Sequence, residues 1–128
     1  MDALVKTFHA LGDETRWRIL QLVFNEALCV CEIAEILDMP QSSVSSHLQV
    51  IRRAGLLDSE RCEKWIYYRL ADSFRSLLRQ CGENFGATPA FNTILSKDAR
   101  RAVKRLARRA DTCCPGPKEL AHTSTKRA

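Results

Sequence analysis

The feature that most constrains the fold is a pair of short amphipathic segments separated by a proline. In "VCEIAEILD", apolar residues recur at positions i, i+3, i+4 and i+7 from Val30, which predicts a short helix. Pro40 blocks the continuation of this helix. The next stretch, "QSSVSSHLQVIRRAG", predicts a second helix, whose buried line is Val44, Leu48 and Ile51. Two helices joined by so tight a turn form a helix-turn-helix.

The segment that follows the helix-turn-helix has the pattern of strands. "LLDSERCEKWIYYRL" has a charged centre between apolar and aromatic ends, and "WIYYRL" is rich in strand-forming residues. We therefore predict a β-hairpin over residues 56–70. A helix-turn-helix followed by a hairpin is a winged helix, so the predicted fold is mainly α with a β-hairpin wing.

Two helices are predicted before the helix-turn-helix and two after the wing. Residues 2–10 form the first helix, and Gly12 separates it from a second that Asp13 caps. Beyond the hairpin, a fifth helix begins at Asp72 or Ser73 and runs through "FRSLLRQC". Its apolar face is Phe74, Leu77, Leu78 and Cys81.

A basic helix is predicted in "SKDARRAVKRLARRAD", where Ser96 is the expected cap. Its expected packing face is Ala99, Ala102, Val103, Leu106 and Ala110, with the basic side chains covering much of the rest. We interpret it as a solvated or dimer-edge helix in preference to a DNA contact. The predicted divisions are a winged-helix domain at residues 1–85, a loop and the basic helix at 86–112, and a flexible tail at 113–128.

Composition favours one soluble domain. The chain has 128 residues, of which 45% are hydrophobic and 27% charged, and it contains no apolar run of membrane-spanning length. Its first residues lack the pattern of a secretory signal, so we expect a cytoplasmic protein without a membrane partner. Residues 1–95 hold 10 basic and 12 acidic side chains, a net of −2, and residues 96–128 hold 10 and 3, a net of +7. The winged helix must therefore bind nucleic acid through a local patch.

The side of the fourth helix that faces away from its buried line carries short or planar hydrogen-bonding groups. Glutamine can pair with adenine in the major groove, and serine can donate to bases or phosphates. Cations at the end of this helix and at the hairpin tip would meet the phosphate backbone. The predicted DNA-binding residues are Gln41, Ser42, Ser43, Ser45, Ser46, Gln49, Arg52, Arg53, Arg61 and Lys64.

A reducing cytosol disfavours disulfides and leaves the thiols of the six cysteines free for metal or metalloid chemistry. Four of these cysteines are candidate ligands. Cys29 and Cys31 in "LCVCEIA" are expected at the start of the third helix, off its buried stripe and accessible, where the helix dipole lowers the thiol pKa. Side chains two residues apart on a helix point about 200° apart. A shared ligand would therefore require the first turn to unwind. Cys113 and Cys114 precede a Pro-Gly turn that should keep them exposed and able to supply a further thiolate.

Three motifs carry a resemblance to a known family. "FHALGDETRWRIL", "CVCEIAEILDMPQSSVSSHLQVIRRAGLL" and "KWIYYRL" resemble, in order and spacing, the arsenic-responsive ArsR/SmtB repressors over residues 4–80. The resemblance implies a homodimer, paired through the first and last helices of the domain, that a toxic metal or metalloid releases from double-stranded operator DNA. It also implies that Cys29 and Cys31 are inducer ligands. Relatives often have a third cysteine where this chain has Ala34, and glycine in the wing turn where it has Glu63.

The leading hypothesis is thus a repressor that responds to As(III) or Sb(III), both of which prefer thiolates. Cd(II), Pb(II) or Zn(II) as inducer is the alternative within the same fold, although a zinc site on the last helix of the domain is disfavoured because "DSFRSLLRQCGENF" lacks histidine. A thiol enzyme would need a base or an anion-binding loop beside its cysteine, and neither is evident. A non-specific DNA-binding protein remains the other alternative. Of the remaining cysteines, Cys81 is expected in the core and Cys62 on the surface.

Overall fold

The computed structural model describes residues 2–112 and 114–120 of the chain. Cys113 and residues 121–128, which belong to the predicted flexible tail, lie outside the described residues, as does Met1. The elements in chain order are α1 (Ala3–Leu11), α2 (Glu14–Leu22), β1 (Leu28–Cys29), α3 (Val30–Leu37), α4 (Gln41–Arg53), β2 (Leu57–Cys62), β3 (Trp65–Leu70), α5 (Arg75–Phe85) and α6 (Pro89–Ala107). One 3₁₀ turn, Asp72–Phe74, precedes α5, and another, Arg109–Asp111, follows α6.

The predicted helix-turn-helix is confirmed in α3 and α4. Helix α3 ends at Leu37, and its C-cap Asp38 adopts a left-handed backbone with φ of 55° that turns the chain toward Pro40. In α4, Val44, Leu48 and Ile51 are buried as the periodicity predicts. They join a core formed mainly by the first four helices and one face of the sheet.

The local signals for the first two helices also hold. Asp2 caps α1, and the Asp13 carboxylate accepts a hydrogen bond of 3.0 Å from the backbone N–H of Arg16 at the start of α2. These ends were predictable because a cap involves residues within one turn of each other.

The wing is the predicted hairpin with one additional strand. Strands β2 and β3 pair antiparallel, and the two-residue β1 pairs with the other edge of β3, which gives the order β1-β3-β2. We did not predict β1, because two residues are too few to show a strand alternation. At the wing turn Glu63 has φ of 56°, a conformation that glycine adopts more readily.

Helix α6 begins earlier than predicted. Thr88 is its cap, accepting a hydrogen bond of 3.2 Å from the N–H of Phe91, and Pro89 occupies the first helical position. Proline is suited to that position because its missing N–H would have no helical partner there. The expectation that Ser96 caps the helix is therefore wrong.

The packing face of α6 is only partly the predicted one. Ala99 and Val103 are exposed, whereas Ala102 and Leu106 are half-buried and pack against the main core as predicted. The most buried residues of the helix, which face α2 and α3, are Asp98 and Arg105. The Arg18 guanidinium on α2 donates two hydrogen bonds, of 2.8 and 3.0 Å, to the Asp98 carboxylate. The buried side of α6 thus combines the apolar contacts of Ala102 and Leu106 with ion pairs, and a search for apolar periodicity finds only the former.

Two further findings bear on the predictions made from composition. Among the described residues, no helix is long and apolar enough to span a membrane. Three arginines of the basic helix contact Glu35 of α3. Arg101 donates a hydrogen bond of 2.8 Å to the Glu35 carbonyl, and Arg105 and Arg108 form ion pairs with the Glu35 carboxylate.

Candidate metal centre

Three thiols converge at the junction of β1, α3 and the C-terminal segment, the name used here for residues 114–120. The Sγ atoms of Cys29, Cys31 and Cys114 all lie within 4.8 Å of one another. The Sγ atoms of Cys29 and Cys114 are 3.6 Å apart. Cys114, which is 85 residues from Cys29 in sequence, thus joins the Cys-x-Cys pair in one cluster.

The backbone at Cys29 explains how two thiols with this spacing can meet. Cys29 is the N-cap of α3 and has extended dihedrals, φ −92° and ψ 169°, so only Cys31 lies within the helix. The divergence of about 200° applies to two helical residues and does not apply here. The prediction that a shared ligand must unwind the first turn is therefore wrong, because β1 already places Cys29 outside the helix.

The cluster is more buried than predicted. Cys29 is 2% exposed and Cys114 is fully buried, whereas Cys31 is half-buried. The pairing of β1 with β3 covers Cys29 from one side, and the C-terminal segment covers it from the other. The expectation of exposed thiols failed because both contacts are long-range. Cys113, the other predicted tail ligand, lies outside the described residues.

Burial also reverses the expected effect on the thiol pKa. Burial raises the pKa of the Cys29 thiol, and a hydrogen bond from the Glu32 backbone opposes this increase. The Glu32 carboxylate and the Cys114 thiol raise the pKa further. The helix dipole was expected to lower it. Removal of the thiol from water outweighs that effect in this structure.

A buried ion-pair network lies directly beneath the cluster. The fully buried Glu32 carboxylate accepts a hydrogen bond of 3.1 Å from the Cys29 N–H. Arg109 donates to both Glu32 oxygens, at 2.7 and 2.9 Å, and to the carbonyl of Ala27 at 2.6 Å. Arg105 forms a longer ion pair of 3.8 Å with the same carboxylate. Glu32 and Arg109 therefore hold the backbone on both sides of Leu28 and connect it to the chain that leads to Cys114.

The sequence contains one local signal for this network. The spacing Cys29-x-x-Glu32 is that of a capping box with cysteine in the place of serine or threonine. The arginine partner could not be found in this way, because it is 77 residues from Glu32.

The remaining two cysteines lie outside the three-thiol cluster. Cys62 is buried rather than on the surface, because it packs on the outer face of the sheet with Cys29, Tyr67 and Cys114. Cys81 is half-buried and lines an open groove of about 780 Å³ between α1, α2, α5 and α6, so the expectation of a core residue holds only in part.

The ten predicted DNA-binding residues lie on α4 and the hairpin, and all except the half-buried Ser43 are exposed. One of them also touches the thiol cluster. Gln41, the first residue of α4, donates through Nε2 to the Sγ of Cys31 at 3.6 Å. The first residue of the predicted recognition helix is therefore in contact with a candidate ligand.

Comparisons with known proteins point to one family. Residues 13–59 match the family model described as "Bacterial regulatory protein, arsR family". The arsenic resistance transcriptional regulator ArsR1 of Pseudomonas putida is 44% identical over 64 residues, which are 49% of this chain and 50% of that protein. An uncharacterised HTH-type transcriptional regulator of Methanocaldococcus jannaschii is 38% identical over 66 residues, 51% of this chain and 74% of the relative.

A cadmium regulator and a solved structure are also similar. The cadmium resistance transcriptional regulatory protein CadC of Listeria innocua is 37% identical over 79 residues, 61% of this chain and 66% of that protein. A homodimeric winged helix-turn-helix DNA-binding domain of Mycobacterium bovis, a possible ArsR-family regulator, superposes with a TM-score of 0.61 at 25% identity. The superposition covers 64% of this chain and 77% of that domain. The matched stretch spans half the length of the P. putida regulator.

Proposed function

Since the chain belongs to the arsR family of DNA-binding transcriptional regulators, we propose that it is a repressor released from operator DNA when As(III) or Sb(III) binds Cys29, Cys31 and Cys114. The observation that carries this proposal is the convergence of three sulfur atoms within 4.8 Å. Family membership supports a regulator rather than an enzyme. The P. putida relative, named for arsenic resistance, supports the metalloid.

The number and type of donors suit a trivalent metalloid. As(III) is soft and prefers thiolate ligands. Arsenous acid, As(OH)₃, can condense with three thiols: three As–S bonds form, three As–O bonds break, and each thiol proton leaves with a hydroxide as water. The arsenic stays As(III) throughout, and its site carries no net charge. A neutral product is favoured where two of the three sulfurs are buried.

A divalent soft ion is the second candidate, favoured by the cadmium regulator among the relatives. Cd(II), Pb(II) or Zn(II) held by three thiolates would leave a net negative charge in the same buried position, close to the Glu32 carboxylate. Release of DNA by each ion, compared at equal free concentration, separates these candidates from As(III).

The DNA-reading surface is proposed to be the exposed side of α4 together with the hairpin. Gln41 and Gln49 would reach base edges, and Arg52, Arg61 and Lys64 would contact phosphates. The hydrogen bond from Gln41 to Cys31 offers a route between the two sites. A ligand that moves Cys31 changes the position of the first residue of α4.

The proposed repressor is a homodimer, as is the M. bovis domain. Leu4, Val5 and Phe8 on α1 and Phe85 at the end of α5 are large apolar side chains left exposed in the single chain. A second copy that covers both helices would remove this surface from water. The two recognition helices of such a dimer would read two half-sites.

The test uses an operator selected by the protein from random-sequence duplexes. Affinity for this DNA is measured with and without arsenite for the wild type and for Cys29→Ser, Cys31→Ser and Cys114→Ser, with Cys81→Ser as the control thiol. We expect arsenite to weaken DNA binding in the wild type and in Cys81→Ser but not in the other three variants. Full release of the Cys31→Ser protein by arsenite would contradict the proposed site.

A further inference from the structure

The three strands of the wing sheet bring Cys29, Tyr67 and Glu60 into one row. Cys29 of β1 pairs with Tyr67 of β3, and Tyr67 pairs with Glu60 of β2. Directly paired residues project from the same face of a sheet. This face is the outer one, because Leu28 and Tyr68, the neighbours of this row, belong to the main core on the other side.

The C-terminal segment crosses this row in sequence order. The Cys114 Sγ lies 3.6 Å from that of Cys29, and the Gly116 N–H donates to the Tyr67 hydroxyl oxygen at 2.8 Å. Three further residues, 118–120, reach Glu60. The segment is therefore in contact with all three strands, and its first contact carries the third thiol.

Glu60 holds the far end of this segment through its backbone. Its carboxylate accepts hydrogen bonds from the N–H groups of Lys118 at 2.6 Å, Glu119 at 3.0 Å and Leu120 at 2.8 Å. Burial would raise the pKa of Glu60, but these three donors outweigh it and lower the pKa below its usual value. Hydrogen bonds from N–H groups to a carboxylate are stronger than those between neutral groups.

Gly116 allows the segment to turn close to the network beneath the cluster. Its φ is 91°, in the region that favours glycine. A Cβ at this position would lie 3.2 Å from a guanidinium nitrogen of Arg109, the residue that holds Glu32. The path between Cys114 and Glu60 is therefore fixed at its middle as well as at its ends.

We propose that Glu60 is a positioning residue for the metalloid site, which holds the C-terminal segment across the wing so that Cys114 stays beside Cys29 and Cys31. The inference rests on the proposed function, since it concerns the third ligand of that site. Without the Glu60 contact, binding must first order the segment, and the entropy lost in doing so weakens the affinity. Because Glu60 belongs to β2, the same contact connects the ligand site to the wing.

The test compares Glu60→Gln with Glu63→Gln, which makes the same change of charge in the turn of the same hairpin. Arsenite affinity of the full chain is measured by competition with a small dithiol chelator, and thermal unfolding is recorded for each variant. We expect Glu60→Gln to bind arsenite about tenfold more weakly, a change of the size that the loss of charge-assisted hydrogen bonds produces. Glu63→Gln should bind as the wild type does.

A double-mutant cycle with Cys114→Ser distinguishes positioning from a general effect on folding. In the Cys114→Ser background the segment carries no third ligand at this position, so Glu60→Gln should cause no further loss of affinity. Equal losses in both backgrounds would overturn the proposal. The proposal would also be overturned if Glu60→Gln kept the wild-type arsenite affinity while Cys114→Ser alone weakened it. That result would leave the proposed function intact. If Cys114→Ser itself binds arsenite as the wild type does, the third ligand is wrong, and both proposals fail at that point.

Discussion

At the scale of single residues, Glu32 connects the thiol cluster to the rest of the chain. Its buried carboxylate accepts the Cys29 N–H and two hydrogen bonds from Arg109. The candidate ligands Cys29 and Cys31 were predictable from their spacing, and Cys114 from its place in the tail. Their burial and the role of Glu32 were not, because both depend on contacts with Tyr67 and Arg109 far along the chain.

Replacement of Glu32 by leucine should be strongly destabilising. The change leaves the Arg109 guanidinium without its carboxylate partner, and an uncompensated buried charge costs about 3–5 kcal/mol. Arg105 keeps its ion pair with Glu35. Urea unfolding followed by circular dichroism measures the loss in the free energy of unfolding. The control is Glu26→Leu, an exposed carboxylate nearby in sequence, which should change that free energy by less than about 0.5 kcal/mol. Similar losses for the two variants would show that the network contributes little.

At the scale of elements, local signals identified α1 to α5 and the hairpin, and failed where the determining contacts are non-local. Caps and apolar periodicity involve residues within a turn or two of one another. Strand β1 exists only because β3 offers it an edge, and α6 is oriented by ion pairs at Asp98 and Arg105. Neither feature has a signature in a short window of sequence.

The Asp13 cap of α2 predicts a defined dependence of stability on pH. The hydrogen bond from the Arg16 backbone lowers the pKa of Asp13, and this outweighs the effect of burial, with Arg16 and His47 adding to the decrease. A carboxylate whose pKa is lower in the folded state stabilises the protein above its unfolded pKa of about 3.9. That contribution is lost as the pH falls through the lower, folded value.

The measurement is the urea midpoint of the wild type and of Asp13→Asn between about pH 6 and pH 2. Asparagine keeps the cap but cannot titrate, so the variant should lose less stability than the wild type over the acid range. At neutral pH, Asp13→Ala should lower the free energy of unfolding by about 1 kcal/mol. Identical acid dependence in the wild type and Asp13→Asn would contradict the assignment.

At the scale of the whole molecule, the winged helix carries two surfaces and one ligand site that must act together. The α4 and hairpin surface is proposed to bind DNA, and the α1 and α5 surface to bind a second copy. The thiol cluster lies between α3 and the C-terminal segment, and it contacts α4 through Gln41 and the wing through Tyr67. The C-terminal segment adds a second contact with the wing at Glu60. A ligand in the cluster is therefore connected to both of the elements proposed to touch DNA.

The proposed dimer predicts a monomer on substitution of Phe8 by aspartate. Phe8 is half exposed on α1, and a carboxylate there would have to be buried in the dimer without a partner. Sedimentation equilibrium should show dimers for the wild type and monomers for Phe8→Asp, with much weaker operator binding. Val103→Asp is the matched control, since Val103 is an exposed apolar residue on α6, and it should remain dimeric. A dimeric Phe8→Asp protein would move the interface elsewhere.

The central claim is that one As(III) is bound by Cys29, Cys31 and Cys114 of the same chain. Arsenic X-ray absorption of the protein with one equivalent of arsenite, in buffer without small thiols, measures it most directly. We predict three sulfur neighbours and no oxygen neighbour in the wild type, and two sulfurs and one oxygen in Cys114→Ser. Three sulfur neighbours in both proteins would show that the third ligand comes from another cysteine, and would contradict the account.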